Sequence, residues 1–406
     1  VLPYTMADSA DPENLWKFLA QYEKTTGGSV LAIPHNGNLS NGLMFANVTL
    51  SNDGYTKDYL QRRQRWEPLY EITQIKGDGE AHPLLSPDDE FADYETWDEG
   101  NLDLSAAKTD AMLRFEYARE ALKRGLGYRA EQGVNPFEFG FIGSSDTHTS
   151  LSAVEENNFF GKNPIVEPSA KRYAHVSKKT DQGTVYSWQY VASGYAAVWA
   201  RENTRESLWD AMKRRETYGT TGSRLVIRLF GGWDFTIEDA QTGVLADIGY
   251  RKGVPMGAIL NESPQGKAPT FLLAALRDPI GANLDRIQII KGWRSTDGEL
   301  HEKIYNVAWG GERKLNSAGK LAAVGNTVDV KSATWTNTIG APDLVSVWQD
   351  PDFDAEQEAF YYARVIEIPT PRWTAFDAAR FGVSLLDGIP MTTQERGYTS
   401  PIWYRP

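Results

Sequence analysis

Asp146 and His148 are the residues whose types and spacing point most directly to chemistry. They follow the apolar run 137–142 and a Gly-Ser-Ser turn. Residues two apart in an extended segment point the same way. One carboxylate and one imidazole so placed can bind a divalent ion, or bridge a metal ion and a catalytic water. The alternative is a solvated turn, since an Asp-x-His pair on its own is a weak signal.

His35 and Glu71 occupy comparable positions elsewhere in the sequence. His35 directly follows the apolar run 30–33, and Glu71 lies within the run 70–75. The carboxyl ends of parallel strands gather on one edge, where α/β proteins build their active sites. We therefore expect His35 and Glu71 to lie near Asp146 and His148. A histidine that caps a strand end and a structural, ion-paired glutamate are the competing interpretations.

The composition limits the metal chemistry that is open to the chain. Its 406 residues include no Cys and only five His. Disulfides, iron–sulfur clusters and thiolate zinc sites are thereby excluded, so His, Asp, Glu or Asn must hold any metal. His82 lies in a Gly-Glu-Ala-His-Pro loop and stays a candidate, whereas His175 and His301 have no such surroundings and are expected on the surface.

The charge balance argues against two classes of partner. Lys and Arg number 42 against 54 Asp and Glu, so the net charge is 42 − 54 = −12. An acidic surface repels nucleic-acid phosphates. No apolar stretch reaches the ~20 residues of a membrane span. We expect no nucleic-acid partner, no membrane span and a periplasmic or secreted location, with the cytoplasm as the alternative.

Local patterns divide the chain into an α/β part and a β-rich part. Asp11-Pro12 is typical of a helix start, and Gly27 of its end. Further helices are predicted over 106–123 and 203–216, and strands over 30–33, 70–75 and 137–142. After residue 222 helix signals are scarce, and strands are predicted over 225–230, 270–276, 287–291, 303–309, 322–330, 345–348 and 360–368. We predict units over 1–222, 223–370 and 371–406, the last packing back on one of the others.

Several long motifs resemble the DUF3604 family, a group of bacterial proteins of uncharacterised function. They are Ala-Ile-Pro-His-Asn-Gly-Asn-Leu-Ser-Asn-Gly at 32–42, Tyr-Glu-Ile-Thr-Gln-Ile-Lys-Gly-Asp at 70–78 and Phe-Ile-Gly-Ser-Ser-Asp-Thr-His-Thr at 141–149. Further matches lie at 198–206, 214–222, 288–293 and 394–404. The resemblance covers almost the whole chain.

That family is similar to the PHP superfamily of metal-dependent phosphoesterases, and the similarity carries structural expectations. It implies the C-terminal part of a PHP-like distorted (β/α)₇, TIM-like barrel, followed by an antiparallel β-rich region. It implies a Zn, Mn or Fe site whose metal ligands would be His35, Glu71, Asp146 and His148. Because the His-x-His motif that typically opens the family pattern has no match, we expect a fragment whose missing N-terminal segment, as a separate chain, stays associated.

The leading functional hypothesis is a metal-dependent hydrolase that uses a metal-activated water on a small anionic ester, phosphate or sulfate. Lys76 and Arg215 would neutralise anionic oxygens, although Arg215 could equally form a helix-terminal salt bridge. The remaining predicted substrate-binding residues are polar side chains near the strand ends: Asn36, Asn38, Asn41, Glu80 and His82. The alternative is a non-catalytic module that binds glycan or protein through the aromatic-rich β region, whose barrel site is incomplete.

Overall fold

The computed structural model describes residues 2–406 and shows a mixed α/β protein, as predicted. The helices are α1 Pro12–Thr26, α2 Lys57–Trp66, α3 Asp110–Leu113, α4 Ala118–Gln132, α5 Arg205–Lys213, α6 Ile237–Ala240, α7 Leu245–Lys252 and α8 Trp373–Phe381. In this range no helix combines the length and the apolar character needed to cross a bilayer.

The strands are short at the start of the chain and longer after residue 222. They are β1 Leu69–Gln74, β2 Gly77–Asp78, β3 Gly140–Gly143, β4 Val176–Thr180, β5 Gly183–Tyr186, β6 Tyr195–Val198, β7 Thr217–Thr220, β8 Val226–Gly232, β9 Gly253–Pro255, β10 Ile259–Asn261, β11 Thr270–Leu276, β12 Leu284–Arg294, β13 Leu300–Trp309, β14 Asp343–Gln349, β15 Ala359–Glu367, β16 Thr370–Pro371, β17 Thr392–Thr393, β18 Arg396–Thr399 and β19 Ile402–Arg405.

A small sheet with the order β2-β1-β3 positions the candidate residues. Strands β1 and β3 are parallel, with Glu71 opposite Ile142, and the register shifts between Glu71 and Thr73. Both strands are completely buried, as is usual for parallel strands. Their carboxyl ends therefore open on the same edge, as the sequence predicts.

A large, mainly antiparallel sheet forms most of the remaining structure. Its order is β10-β19-β15-β18-β7-β6, and β12 joins β15 to β13. A four-stranded sheet, β14-β11-β8-β9, packs against it through a core that contains Leu229, Phe271, Ile289, Tyr361 and Ile402. On its other face, α4 and the small sheet contribute Leu122 and Phe141 to a second core with Ile290, Phe360 and Trp403. The large sheet is thus buried on both faces.

The predicted three-way division cuts through this large sheet. It contains β6 and β7 from the first predicted unit, β10, β12, β13 and β15 from the second, and β18 and β19 from the third. Strand β18 pairs with both β7 and β15. The division stays a prediction. Residues 2–406 do not close into a barrel.

Glycines join the small sheet directly to the large one. A Cβ atom added to Gly143 of β3 would lie 2.7 Å from the Tyr195 carbonyl oxygen and 2.8 Å from that of Thr220. A Cβ added to Gly219 of β7 would lie 2.6 Å from the Gly143 nitrogen. The two backbones are therefore in contact, with no side chain between them.

The helix predicted over 106–123 is wrong in its extent. It divides into α3 and α4, and α4 continues to Gln132, where Gly133 ends it with a φ of 75°. Gly125, just after the predicted end, lies inside α4, and the Asn135 side chain packs against its Cα: a Cβ there would be 2.2 Å from Asn135 Oδ1. This glycine serves close packing and not termination.

Two predicted strands do not form. Residues 30–33 form no strand and make only isolated backbone contacts, such as the hydrogen bond from the Ala32 N–H to the Trp66 carbonyl at 2.8 Å. Within residues 2–406 no strand pairs with them, and they are only half-buried. Residues 322–330 are mostly loop, with a single bridge between Asp329 and Thr334. The other predicted strands of the β-rich region correspond to β8, β11, β12, β13, β14 and β15.

Candidate functional site

Six ionisable side chains meet where β1 and β3 end. We call this group the Asp146 cluster, because Asp146 contacts most of its members. The contacts link residues that are far apart in the sequence, as expected for strand ends that share an edge. The members of the Asp146 cluster are His35, Glu71, Lys76, Asp146, His148 and Lys162.

The backbone around the strand ends explains this convergence. The Ser144 N–H donates to the Thr73 carbonyl at 3.1 Å, which continues the β1–β3 pairing beyond the end of β3. Asp146 then adopts a φ of 45°, a left-handed conformation that Asp and Asn accept more readily than most residues. On the other side, the Glu71 N–H contacts the Pro34 carbonyl at 3.3 Å and so places His35 beside β1.

Two imidazoles approach opposite oxygens of the Asp146 carboxylate. His148 Nε2 lies 3.2 Å from Oδ1, and His35 Nε2 lies 3.7 Å from Oδ2. Each histidine thus turns a ring nitrogen towards the same acid. Three predicted ligands are therefore adjacent.

Glu71 is positioned to orient His35. Its Oε2 lies 2.5 Å from His35 Nδ1, while its Oε1 accepts a hydrogen bond from the Ser144 hydroxyl. The carboxylate is almost completely buried. If His35 Nδ1 carries the proton for this contact, Nε2 is free to act as a ligand, the arrangement by which carboxylates commonly fix metal-binding histidines.

Two lysines supply positive charge to the Asp146 cluster. Lys76 Nζ contacts Asp146 Oδ2, and Lys162 Nζ lies 2.9 Å from the same oxygen. Burial, followed by the charge of Lys162, lowers the pKa of Lys76 to about 7. Burial lowers the pKa of Lys162 to about 8. Both ammonium groups are thus held in a poorly hydrated place, where an additional negative charge would stabilise them.

His148 is the member of the cluster most open to solvent. Its side chain is 66% exposed, whereas that of Asp146 is 13% exposed. The charge of Lys162, followed by desolvation, lowers the pKa of His148. Its imidazole is therefore favoured in the neutral form, which is the form that binds metals.

Predicted substrate-binding asparagines differ in where they lie. Asn36 accepts a hydrogen bond from the Gln74 amide at 3.1 Å, and Gln74 in turn accepts from Lys76 Nζ at 3.1 Å, so Asn36 borders the cluster. Asn38 is buried and donates to the Lys76 carbonyl at 2.9 Å, which supports the backbone. Asn41 is exposed and has no contact with the cluster.

Glu80, predicted to bind substrate, belongs to a separate buried ion-pair system, which we call the Glu80 network. Arg364 lies 2.9 Å from Glu80 and 2.6 Å from Asp89, and Arg119 contacts both acids. Although burial disfavours the charged form, Arg119 and Arg364 lower the pKa of Glu80, and the same two arginines lower that of Asp89. All four side chains are inaccessible to a ligand. The members of the Glu80 network are Glu80, Asp89, Arg119 and Arg364.

The structure also places His82 and Arg215 away from the Asp146 cluster. His82 is buried beside Tyr117, with Nε2 3.2 Å from Asp98. Arg215 donates to the Gly257 carbonyl at 3.0 Å and to Glu138 at 3.2 Å, so its contacts are those of a structural salt bridge.

Lys162 was not among the predicted site residues. It lies in a loop with no strand or helix signal, and only folding brings it to Asp146. Its backbone carbonyl accepts from the His148 N–H at 2.7 Å, and its Nζ lies 3.1 Å from His148 Nε2. Nothing in the local sequence pattern would have identified it.

Metal binding is chemically compatible with this donor set, but the side chains are not arranged as a ready-made site. In residues 2–406 no three His, Asp or Glu side chains are grouped so that they could hold an ion without moving. The imidazoles of His35 and His148 face one carboxylate, yet both lysines contact Asp146 as well. Ligation would require these ammonium groups to withdraw from Asp146.

Comparison with known proteins gives a family without a described activity. No curated protein matches the sequence. A family model described as a protein of unknown function, DUF3604, matches residues 1–406. The motifs at the Asp146 cluster lie inside this match, and the chain belongs to the DUF3604 family.

Proposed function

We propose that this protein is a metal-dependent hydrolase of the PHP type, which cleaves a phosphate or related ester with a metal-activated water. The observation that supports it most is the approach of His35 and His148 to the two oxygens of Asp146. The parallel β1–β3 pair beneath them supports a relationship to part of a PHP-like barrel.

The donor atoms of the cluster have distinct roles in this proposal. His35, Asp146 and His148 would hold the ion, and Glu71 would orient His35 through Nδ1. A bound Zn²⁺, Mn²⁺ or Fe²⁺ would supply a water of lowered pKa and positive charge beside the scissile bond. In hydrolysis the water oxygen bonds to phosphorus while the P–O bond to the alcohol breaks, and the protons of water end on the two products.

Lys76 and Lys162 account for the choice of an anionic substrate. Their ammonium groups lie beside the same carboxylate in a largely buried setting. Once they leave Asp146, each can bind a phosphoryl oxygen through a charge-assisted hydrogen bond. The amides of Asn36 and Gln74, which are linked to Lys76, can orient the ester.

The test combines metal content with hydrolysis. The protein is incubated with Mn²⁺ or Zn²⁺ and desalted, its metal content is measured by mass spectrometry, and hydrolysis of bis(p-nitrophenyl) phosphate is followed. We expect His148→Ala to lose both, because it removes an exposed ligand without opening the core. His175→Ala, at an exposed histidine outside the cluster, is the matched control and should behave as wild type.

One outcome would decide against the proposal, and another would change the ester that it assigns. If the wild-type protein retains no transition metal and His148→Ala leaves activity unchanged, a non-catalytic module that binds glycan or protein becomes the better interpretation. If p-nitrophenyl sulfate is cleaved and the phosphodiester is not, the reaction is sulfate-ester hydrolysis at the same site.

A further inference from the structure

A cleft of about 590 Å³ lies outside the Asp146 cluster. Its size falls within the ~300–1,000 Å³ of small-molecule binding pockets. Its lining includes most of the segment 90–99 and residues of β17 and β18. Tyr94, Asp98, Glu99, Trp188 and Arg396 are among the lining residues.

Arg396 is a buried cation with unused hydrogen-bonding capacity facing this cleft. It is only 3% exposed, and its guanidinium lies 3.7 Å from the centre of the Tyr94 ring. Its Nε donates to the Gln394 carbonyl at 3.2 Å and its Nη1 to the Phe91 carbonyl at 3.0 Å. In residues 2–406 no hydrogen bond or salt bridge engages Nη2. Nη2 is therefore available to donate to a ligand oxygen in the cleft.

The cleft also offers acceptors. Asp98 is 51% exposed, with its Oδ2 3.2 Å from His82 Nε2, whereas Glu99 accepts from the Gln189 amide at 2.6 Å through Oε1 and keeps Oε2 for a ligand. Two other lining carboxylates are paired with arginines, since Glu95 lies 2.8 Å from Arg372 and Glu90 lies 2.6 Å from Arg286, whereas Asp93 accepts from the Thr96 hydroxyl at 3.0 Å. Donor and acceptor groups therefore face the same space.

Aromatic faces complete the lining. Tyr94 and Trp188 are half-buried, so part of each ring is in contact with the cleft. The neighbouring Trp97 is fixed by a hydrogen bond from its indole N–H to the Gln189 carbonyl at 2.9 Å. Rigid aromatic rings of this type provide flat apolar surfaces with little loss of conformational entropy.

We propose that this cleft binds a neutral carbohydrate. A sugar ring combines an apolar C–H face, which stacks on an aromatic ring, with hydroxyl groups that both donate and accept hydrogen bonds. Asp98 and Glu99 would accept from hydroxyls, while Arg396 Nη2 would donate to one. The uncompensated carboxylates disfavour uronic acids and other anionic sugars. The proposal is independent of the proposed hydrolase function, because no contact of the cleft involves the Asp146 cluster.

The test is isothermal titration calorimetry with maltotriose, cellotriose and chitotriose, using trigalacturonate and spermidine as charged comparisons. At least one neutral trisaccharide should bind with a Kd of about 1 mM or tighter. Trp188→Ala should weaken that binding at least about tenfold, because it removes a stacking face. Trp309→Ala, at a half-buried Trp outside the cleft, and His148→Ala should bind as wild type.

Asp98→Ala provides a second, exposed variant in case Trp188→Ala does not fold, and it should also weaken binding. The proposal is overturned if none of the three neutral trisaccharides binds, if trigalacturonate or spermidine binds more tightly than all of them, or if Trp188→Ala and Asp98→Ala both retain wild-type affinity. Because His148→Ala leaves this cleft intact, failure of the hydrolase proposal would not affect the result.

Discussion

The Asp146 cluster and the Glu80 network both place carboxylates beside basic side chains, but in opposite environments. In the Glu80 network every side chain is at most 2% exposed, and each acid faces two arginines. In the Asp146 cluster one carboxylate faces two lysines and two imidazoles, one of them mostly exposed. The first arrangement leaves no place for a ligand, while the second is open at one side.

The charge states separate the two regions further. Arginine pairing lowers the pKa of Glu80 and Asp89, so these acids stay ionised. Around Asp146 burial lowers the pKa of Lys76 and Lys162, which destabilises the charged forms. Closed ion pairs indicate a structural role, whereas incompletely balanced charge at an accessible edge indicates a functional one.

Substitution within the Glu80 network should have the largest effect. Arg364→Met leaves Glu80 and Asp89 with one arginine, so the free energy of unfolding should fall by about 3–5 kcal/mol because uncompensated charge stays buried. Urea denaturation measures this. Arg251→Met, at an exposed arginine on α7, is the control. A change below about 1 kcal/mol for Arg364→Met would contradict a structural role.

Substitution within the Asp146 cluster should affect activity more than stability. Lys76→Met removes one cation that faces the ester, so hydrolysis of bis(p-nitrophenyl) phosphate should fall by about 100-fold. Because Lys162 still pairs with Asp146, unfolding should change by no more than about 1 kcal/mol. The exposed Lys178→Met is the control. Equal losses of stability for Lys76→Met and Arg364→Met would remove the distinction between the regions.

A buried carboxyl outside both regions, that of Glu367, should make the stability of the protein depend on pH. Burial raises the pKa of Glu367 to about 8, and its carboxyl interacts with the Ser223 hydroxyl. A folded pKa above the unfolded value gives stability that is complete below about pH 4.5 and is lost as pH rises through about 8. The Glu367→Gln variant has no carboxyl to ionise, so its free energy of unfolding relative to wild type should rise by about 4 kcal/mol between pH 5 and pH 9.

Thermal or urea unfolding across this pH range measures the effect. The exposed Glu299→Gln should show no comparable pH dependence. If the difference between Glu367→Gln and wild type stays constant with pH, then Glu367 is already ionised in the folded protein.

The smallest effect is expected from the hydroxyl that holds Glu71. Ser144→Ala loosens the orientation of His35, so affinity for Mn²⁺ or Zn²⁺ should fall by about tenfold. Competition with a fluorescent chelator measures this without reference to activity. Ser145→Ala is the matched control, since Ser145 contacts Thr147 and not Glu71. An unchanged affinity for Ser144→Ala would assign that hydroxyl a purely structural role.

The sequence was most informative about the candidate residues that lie at or near strand ends. Apolar runs followed by polar residues identified His35, Glu71, Asp146 and His148, because parallel strands bring such residues to one edge. Whether such a polar residue is buried or accessible could not be predicted from these local patterns. Glu80 follows shortly after β1, the strand that contains Glu71. Its partners are Arg119 and Arg364, which are distant in the sequence, so the burial of Glu80 depends on long-range packing.

Long-range pairing also limited the prediction of architecture. The pairing of β7 with β18 joins residues near 218 to residues near 398, and no local pattern signals it. Residues 30–33 have the composition of a buried strand, but within residues 2–406 no strand pairs with them. Lys162 was missed for the same reason as β18, since its contacts come from the folded chain alone.

The glycine contact between β3 and β7 has a mechanical consequence. With only backbone at the joint, there is no compressible layer of side chains that could absorb a displacement. A displacement of β7 in the large sheet would therefore displace the end of β3, and with it Asp146, which follows three residues later. Since β18 hydrogen-bonds to β7, this late strand of the chain supports the edge that holds the Asp146 cluster, and the alignment of that edge depends in part on residues almost 260 positions further along the sequence.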